Sequence, residues 1–225
     1  MKIALLMKHN SYYGREYLTS LMSSNIKVDV IYYGNFPTFN KLEDKRCGGL
    51  WCPMNFTKLQ NYFNCYHFES MDSKSLGSLL SDKNYDLGIQ GGVGILSGDI
   101  IERFYYGIIN IHPGDLPFYR GCSAPEWQVI EGNPIISTCH ILDEGIDTGL
   151  IYSKKKIDVD IGDYHKMRSQ IYPKQAEYLI EILDSIGSLQ DFKKKLTPQD
   201  EGKSCYRNYI GDDMINQMKR KMPTQ

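Results

Sequence analysis

Long apolar runs are missing from this chain of 225 residues. The stretch between Lys2 and Lys8 holds five apolar residues, shorter than a signal-peptide core and far below a membrane span. A chain made and kept in the cytoplasm is expected, with no membrane partner. Excess charge of one sign is missing too, since 26 basic side chains face 27 acidic ones for a formal charge of -1. Without surplus lysine and arginine there is no global attraction to a phosphate backbone, and no nucleic-acid partner is expected. Six cysteines, at positions 47, 52, 65, 122, 139 and 205, are too dispersed for a disulfide scaffold, so reduced thiols are expected. The chain carries no internal repeat and no low-complexity block. No serine or cysteine sits in a G-x-S-x-G elbow, and the first β-α turn, residues 8–14 (KHNSYYG), has neither a Walker lysine nor G-x-G-x-x-G. Covalent serine catalysis and dinucleotide binding lose their usual support.

What is present is a core. Apolar residues make up 41% of the chain, enough for one domain, or one domain with an appendage. Residues 2–7 (KIALLM) and 27–33 (KVDVIYY) read as strands, and Tyr17, Leu18, Leu21 and Met22 between them recur at helical spacing. Residues 86–90 and 107–111 read as two further strands, with Ser97 placed to cap a helix that turns Ile100, Ile101 and Phe104 inward. Strands alternating with helices imply a doubly wound, mostly parallel α/β sheet. Residues 137–143 and 150–159 then read as two β segments around a glycine-rich turn, followed by a long helix over 164–186 that contains Pro173. The polar tail reads as a loop, a short strand near Tyr206 and a helix over 212–221. The expected division is a core over 1–160 and a small C-terminal α+β extension over 161–225.

The chemistry-bearing stretch is Asn110-Ile111-His112-Pro113-Gly114 at the carboxyl end of an expected strand. Period-two alternation puts Asn110 and His112 on one face, at the sheet end where α/β folds place ligands. A polar strand end capped by its own side chains is the other reading. The turn from Asp143 to Gly149 presents three carboxylates among two glycines. Either it is solvated, or one carboxylate lies beside His112, raising its proton affinity and fixing its tautomer. An amide, an imidazole and a carboxylate together suit acyl transfer to an amine. Cys47, Cys52, Cys65 and His67 are the one soft-ligand set, but the C-x4-C spacing is loose and Cys65-x-His67 falls on a strand, so no metal is expected.

These residues resemble the formyltransferases that use 10-formyltetrahydrofolate. The resemblance rests on N-I-H-P-G-D-L-P-F-Y-R-G at 110–121, S-A-P at 123–125, S-T-C-H at 137–140 and D-E-G-I-D-T-G at 143–149. It covers 85–160 strongly and the tail more faintly, through Q-D-E-G-K-S-C-Y-R at 199–207. It implies a Rossmann-like formyltransferase core and a catalytic triad of Asn110, His112 and Asp147. It also implies a folate pocket around Gln90, Gly92, Ile95 and Leu96, facing Ile141 and Asp143. The amide and imidazole would polarise the formyl carbonyl, and Asp147 would orient His112 and help move the amine proton. No metal is required.

Departures from each branch bear on the acceptor. The glycinamide-ribonucleotide branch carries a G-x-G-S-N phosphate loop where this chain has KHNSYYG. The methionyl-tRNA branch continues into a C-terminal barrel, whereas this sequence stops at Gln225. The branch that formylates nucleotide-linked amino sugars is the most similar, with H-P-G-x-L-P-x-x-R-G and a following tryptophan, Trp127. Tyr12, Tyr13, Tyr119, Arg120 and Trp127 are the candidate acceptor contacts, and that branch implies a homodimer formed through the C-terminal region. Formyl-folate hydrolysis and a non-catalytic domain of the same fold are the remaining readings.

Overall fold

Alternating burial along the first strand sets the layers. In β1 (Ile3–Lys8), Leu5 and Met7 pack to one side of the sheet and Ala4 and Leu6 to the other, all without solvent exposure. A strand buried on both faces needs helices on both faces, which is the condition for a doubly wound parallel sheet. The computed structural model describes residues 1–34, 45–72 and 74–222.

A sheet of seven strands runs in the order β3-β2-β1-β4-β5-β7-β8. Its members are β1, β2 (Asp29–Tyr33), β3 (Asn64–Phe68), β4 (Leu87–Gln90), β5 (Ile108–His112), β7 (Ile136–Ile141) and β8 (Ile151–Lys156). The first five pair in parallel, while β7 is antiparallel to both β5 and β8. The mostly parallel, Rossmann-like fold expected from the sequence is therefore present. A separate pair joins β6 (Arg120–Gly121) to β9 (Tyr206–Arg207).

Helices α1 (Tyr12–Ser23), α2 (Phe56–Leu59), α3 (Lys74–Lys83), α4 (Gly98–Ile101) and α5 (Ala124–Ile130) follow in chain order. They are succeeded by α6 (Tyr164–Ser185), α7 (Leu189–Lys195) and α8 (Asp212–Lys221). Leu18 and Leu21 of α1 share one core with Ala176, Leu179 and Ile182 of α6, beneath Leu5, Ile89, Ile109 and Ile111. Leu76 and Leu80 of α3 and Ile100 of α4 cover the opposite face with Phe104. The helix expected to open the extension thus contributes to the sheet's own core, while α8 packs through Ile215 and Met218 against Ile135 and Met167.

The helix expected from Leu18 and Leu21 begins at Tyr12 because Ser11 caps it, its Oγ accepting from the Gly14 N–H at 3.0 Å. The same hydroxyl donates to the Gly91 carbonyl at 2.6 Å, tying β1 to β4 where the strand order reverses. Gly14 is required there, since a Cβ would stand 2.6 Å from the Gly91 oxygen. Ser97 occupies the N-cap of α4 without a side-chain cap bond, and Ile100 and Phe104 are buried below it as expected.

Candidate active site

Strand β5 stops at His112 because Pro113 has no N–H to extend the ladder. Ile109 and Ile111 point into the core beneath α1 and α6, which sends Asn110 and His112 to the other face. Residues directly opposite on an antiparallel pair share a face, and here Asn110 is opposite His140 and His112 is opposite Thr138. The Thr138 hydroxyl donates to the Gly114 carbonyl at 2.7 Å and accepts the Leu116 N–H at 3.2 Å, fixing the turn after the histidine. Gly114 must lack a side chain, because a Cβ would lie 2.6 Å from His112 Nε2 and 2.7 Å from the Tyr119 oxygen.

The tautomers follow from the partners. His112 Nε2 lies 2.6 Å from the Tyr119 carbonyl, which only accepts, so Nε2 carries a proton and Nδ1 faces Asp147 Oδ2 at 3.5 Å. His140 Nδ1 lies 3.1 Å from the Ile141 carbonyl, and its Nε2 lies 3.1 Å from the Asn110 amide nitrogen and faces Asp147 Oδ1. Burial lowers the His112 pKa below its ordinary value, against an upward pull from Asp147 and with a further downward push from His140. Burial alone would raise the Asp147 carboxyl, but the His112 charge, the His140 ring 3.6 Å away and the Gly121 N–H at 2.8 Å outweigh it and hold the pKa at about 2. Asp147 is therefore an anion at any physiological pH. It is held in left-handed backbone, at φ +56°, a conformation costing on the order of 1 kcal/mol for a residue with a Cβ.

Asn110 and His112 open onto a cleft of about 340 Å³ that also meets Tyr13, Gln90 and Gly92. Its far wall carries Arg46, Arg168 and Tyr209. The Arg46 guanidinium stacks 4.9 Å from the centre of the Tyr209 ring. Glu126, fully buried, lies 4.0 Å from Arg46 Nη1 and 3.7 Å from Arg168 Nε, and accepts from the Tyr164 hydroxyl at 3.2 Å. Larger clefts exist, but the one around Met1, Lys2 and Asp29 sits at the opposite end of the strands and holds none of this chemistry.

The folate candidates divide. Gln90 accepts the Gly92 N–H at 2.8 Å, and both line the cleft. Ile95 is 83% exposed and Ile146 45% exposed, apolar surface at the rim that a flat ring system would cover, whereas Leu96 is buried in the core. The loops approach each other: an added Cβ on Gly98 would meet Glu144 Oε1 at 2.4 Å. Ile141 is half-buried at the end of β7, and Asp143 closes its own turn by accepting from the Gly145 N–H and the Thr148 hydroxyl. The main chain at 90–97 and 141–147 therefore forms two neighbouring loops, the first of which lines the cleft through Gln90 and Gly92.

Of the five acceptor candidates, Tyr13 reaches the cleft. Tyr12 is buried behind it against Trp51 and Tyr172. Tyr119 turns its hydroxyl to Glu131, Trp127 donates to the Asn208 carbonyl, and Arg120 grips Glu201 and Gln199, so the structure does not bring these three to the cleft. Sequence reasoning missed His140, Arg46, Arg168 and Tyr209. His140 was within reach, since it stands two residues from Thr138 on the strand beside the catalytic one. The arginines carried no local signal, being 122 positions apart and joined through Glu126. Among the described residues no group of three histidine, cysteine or acidic side chains is placed to hold a metal, and no helix is long and apolar enough to cross a membrane.

The profile of the formyl transferase family matches residues 1–183. The chain belongs to that family. Among relatives of this chain is the methionyl-tRNA formyltransferase of Thermodesulfovibrio yellowstonii, 37% identical over 94 residues, covering 41% of this chain and 30% of that protein. The chain spans from 30% to 56% of the length of such relatives. A sugar N-formyltransferase from a Shewanella species superposes with a TM-score of 0.63 at 18% identity, covering 94% of this chain and 78% of that one. The phosphoribosylglycinamide formyltransferase of Anaplasma phagocytophilum gives 0.64 at 18% identity, covering 93% and 99%. At such identities the two structures share a fold with this chain and show no more than that.

Proposed function

We propose that the protein transfers a formyl group from 10-formyltetrahydrofolate to the primary amine of a nucleotide-linked amino sugar of the 4-amino-4,6-dideoxyhexose type. The folate supplies an activated formyl carbon. The amine lone pair attacks that carbon, the C–N bond to the acceptor forms, and the bond to the folate nitrogen breaks as that nitrogen receives a proton. The Asn110 amide and a protonated His112, its Nδ1–H shared between Asp147 and the substrate oxygen, are the donors that meet the developing oxyanion, a role in which losing one donor costs on the order of 3 kcal/mol. Asp147, an anion before the amine attacks, orients His112 and takes up the ammonium proton transiently, passing it to the leaving nitrogen and returning to the anion.

One observation carries the acceptor assignment: the cleft that opens on Asn110 and His112 is walled by Arg46 and Arg168, with Tyr13 and Tyr209 beside them. Guanidinium groups bind phosphate oxygens in a planar, bidentate manner, and tyrosine rings stack on bases and sugars. The β1–α1 turn offers no competing phosphate loop, since Ser11 and Gly14 are closed against Gly91. Incubation with 10-formyltetrahydrofolate and a panel of UDP-, dTDP- and GDP-linked amino sugars, glycinamide ribonucleotide and methionyl-tRNA should release tetrahydrofolate with a nucleotide sugar. Turnover confined to either of the last two, or formate release without any amine, overturns the assignment.

A further inference from the structure

The family match ends at residue 183, yet the segment after it is bonded directly to the catalytic aspartate. Thr197 bridges to Ile151 at the start of β8, and the chain then runs back past the Asp147 turn before pairing β9 with β6. Along that path the Gln199 amide nitrogen donates to the Asp147 carbonyl and to the Gly149 carbonyl, both at 2.8 Å. Its oxygen accepts from Arg120 Nε at 3.1 Å and Nη2 at 2.8 Å. Arg120 is anchored in turn by Glu201, at 2.9 and 2.6 Å from its two terminal nitrogens. Both amide protons and the amide oxygen of Gln199 are therefore in use, and one of the protons bonds the carbonyl of a residue in left-handed backbone.

We propose that Gln199, braced by Arg120 and Glu201, is a positioning residue that holds the Asp147 carboxylate against His112. Three features support it. Of the two carbonyls it clamps, one is the strained residue's own and the other lies two residues on. The next residue after Arg120, Gly121, supplies the N–H that bonds Asp147 Oδ2 at 2.8 Å. The side chain that Gln199 bonds, Arg120, lies outside the cleft. This also gives Arg120 a role other than phosphate binding. The inference rests on the formyl-transfer reading for its consequence, while its geometry stands apart from any substrate.

The test is a titration of the histidine ring nitrogens by ¹⁵N NMR in the full chain, with His112 assigned by His112→Ala, for the unmodified protein, Gln199→Ala and Gln199→Met. The methionine variant keeps length and neutrality while removing both donors. Besides Asp147, the groups facing His112 are His140 on β7, Tyr13 and Tyr17 on α1, Cys122 after β6, and Arg46, Arg168 and Tyr209 across the cleft. Displacement of the neighbouring carboxylate should therefore lower the His112 midpoint, by ~1 pH unit, leaving His9, His67 and His165 in place. In a formyl-transfer assay kcat should fall ~10-fold with KM for the acceptor unchanged, and Gln199→Ala should add nothing to Asp147→Asn. A folded variant whose His112 midpoint is unmoved overturns the proposal. Because the titration uses neither folate nor amine, an enzyme inactive on every acceptor would sink the functional reading while leaving this one readable.

Discussion

Glu126→Gln isolates the charge that holds the far wall of the cleft together. The carboxylate is fully buried, and its Oε1 lies 4.0 Å from Arg46 and 3.7 Å from Arg168. At those separations each attraction is about 4 kcal/mol for an effective dielectric near 20, before the cost of desolvating the ions is set against it. The amide keeps the volume and an acceptor for the Tyr164 hydroxyl, so the perturbation is electrostatic. Removing one partner from a buried ion cluster costs roughly 3–5 kcal/mol. For a domain of this size each kcal/mol moves Tm by about 2–4 °C, giving an expected fall of roughly 10 °C by calorimetry. A decrease of less than about 2 °C would refute the reasoning, and would mean that the two guanidiniums are compensated elsewhere. The surviving fold should also show a raised KM for the acceptor, because Arg46 and Arg168 lose the group that sets their spacing.

Ser11→Ala removes both the α1 cap and the tie to Gly91, and should lower stability by ~1–2 kcal/mol, a few degrees in Tm. Asp147, depressed in the folded state to about 2 from the usual carboxylate value, stabilises the fold above pH ~4 and loses that contribution as the pH falls through about 2. The stake is on the order of 2 kcal/mol, and acid denaturation of Asp147→Asn should lack it; equal acid profiles for the two proteins would contradict the assignment. Thr138→Val frees the Gly114 carbonyl and the Leu116 N–H, and should cost about 1–3 kcal/mol while slowing turnover through a loosened His112 turn. Normal kinetics in that variant would detach Thr138 from the site.

What was legible in the sequence was local. The alternation that puts Asn110 and His112 on one face, the carboxylate turn after the next strand and the helix spacing of α1 all survive because each depends on neighbours a few positions away. The antiparallel placing of β7 beside β5, which brings in His140, is a long-range pairing that no short pattern encodes. Arg120 shows the same limit. A sequence places an arginine beside a catalytic loop, but whether it meets a phosphate or Glu201 depends on a segment 81 positions away. Leu96 and Tyr12 were read as pocket residues and are packed beneath it, since apolar side chains at a loop's base and an aromatic at a helix start have the same signature whether they face ligand or core. The metal candidates also resolve structurally: Cys47 is buried, while His67 tilts against Tyr32 on an edge strand.

The central claim is that Asn110, His112 and Asp147 act together on one carbonyl, and the rate of formyl transfer from 10-formyltetrahydrofolate by His112→Ala and Asp147→Asn tests it most directly. Each variant should lose at least ~100-fold in kcat while keeping a Tm within a few degrees of the unmodified protein. Near-normal turnover in both would contradict the account, whatever acceptor is used.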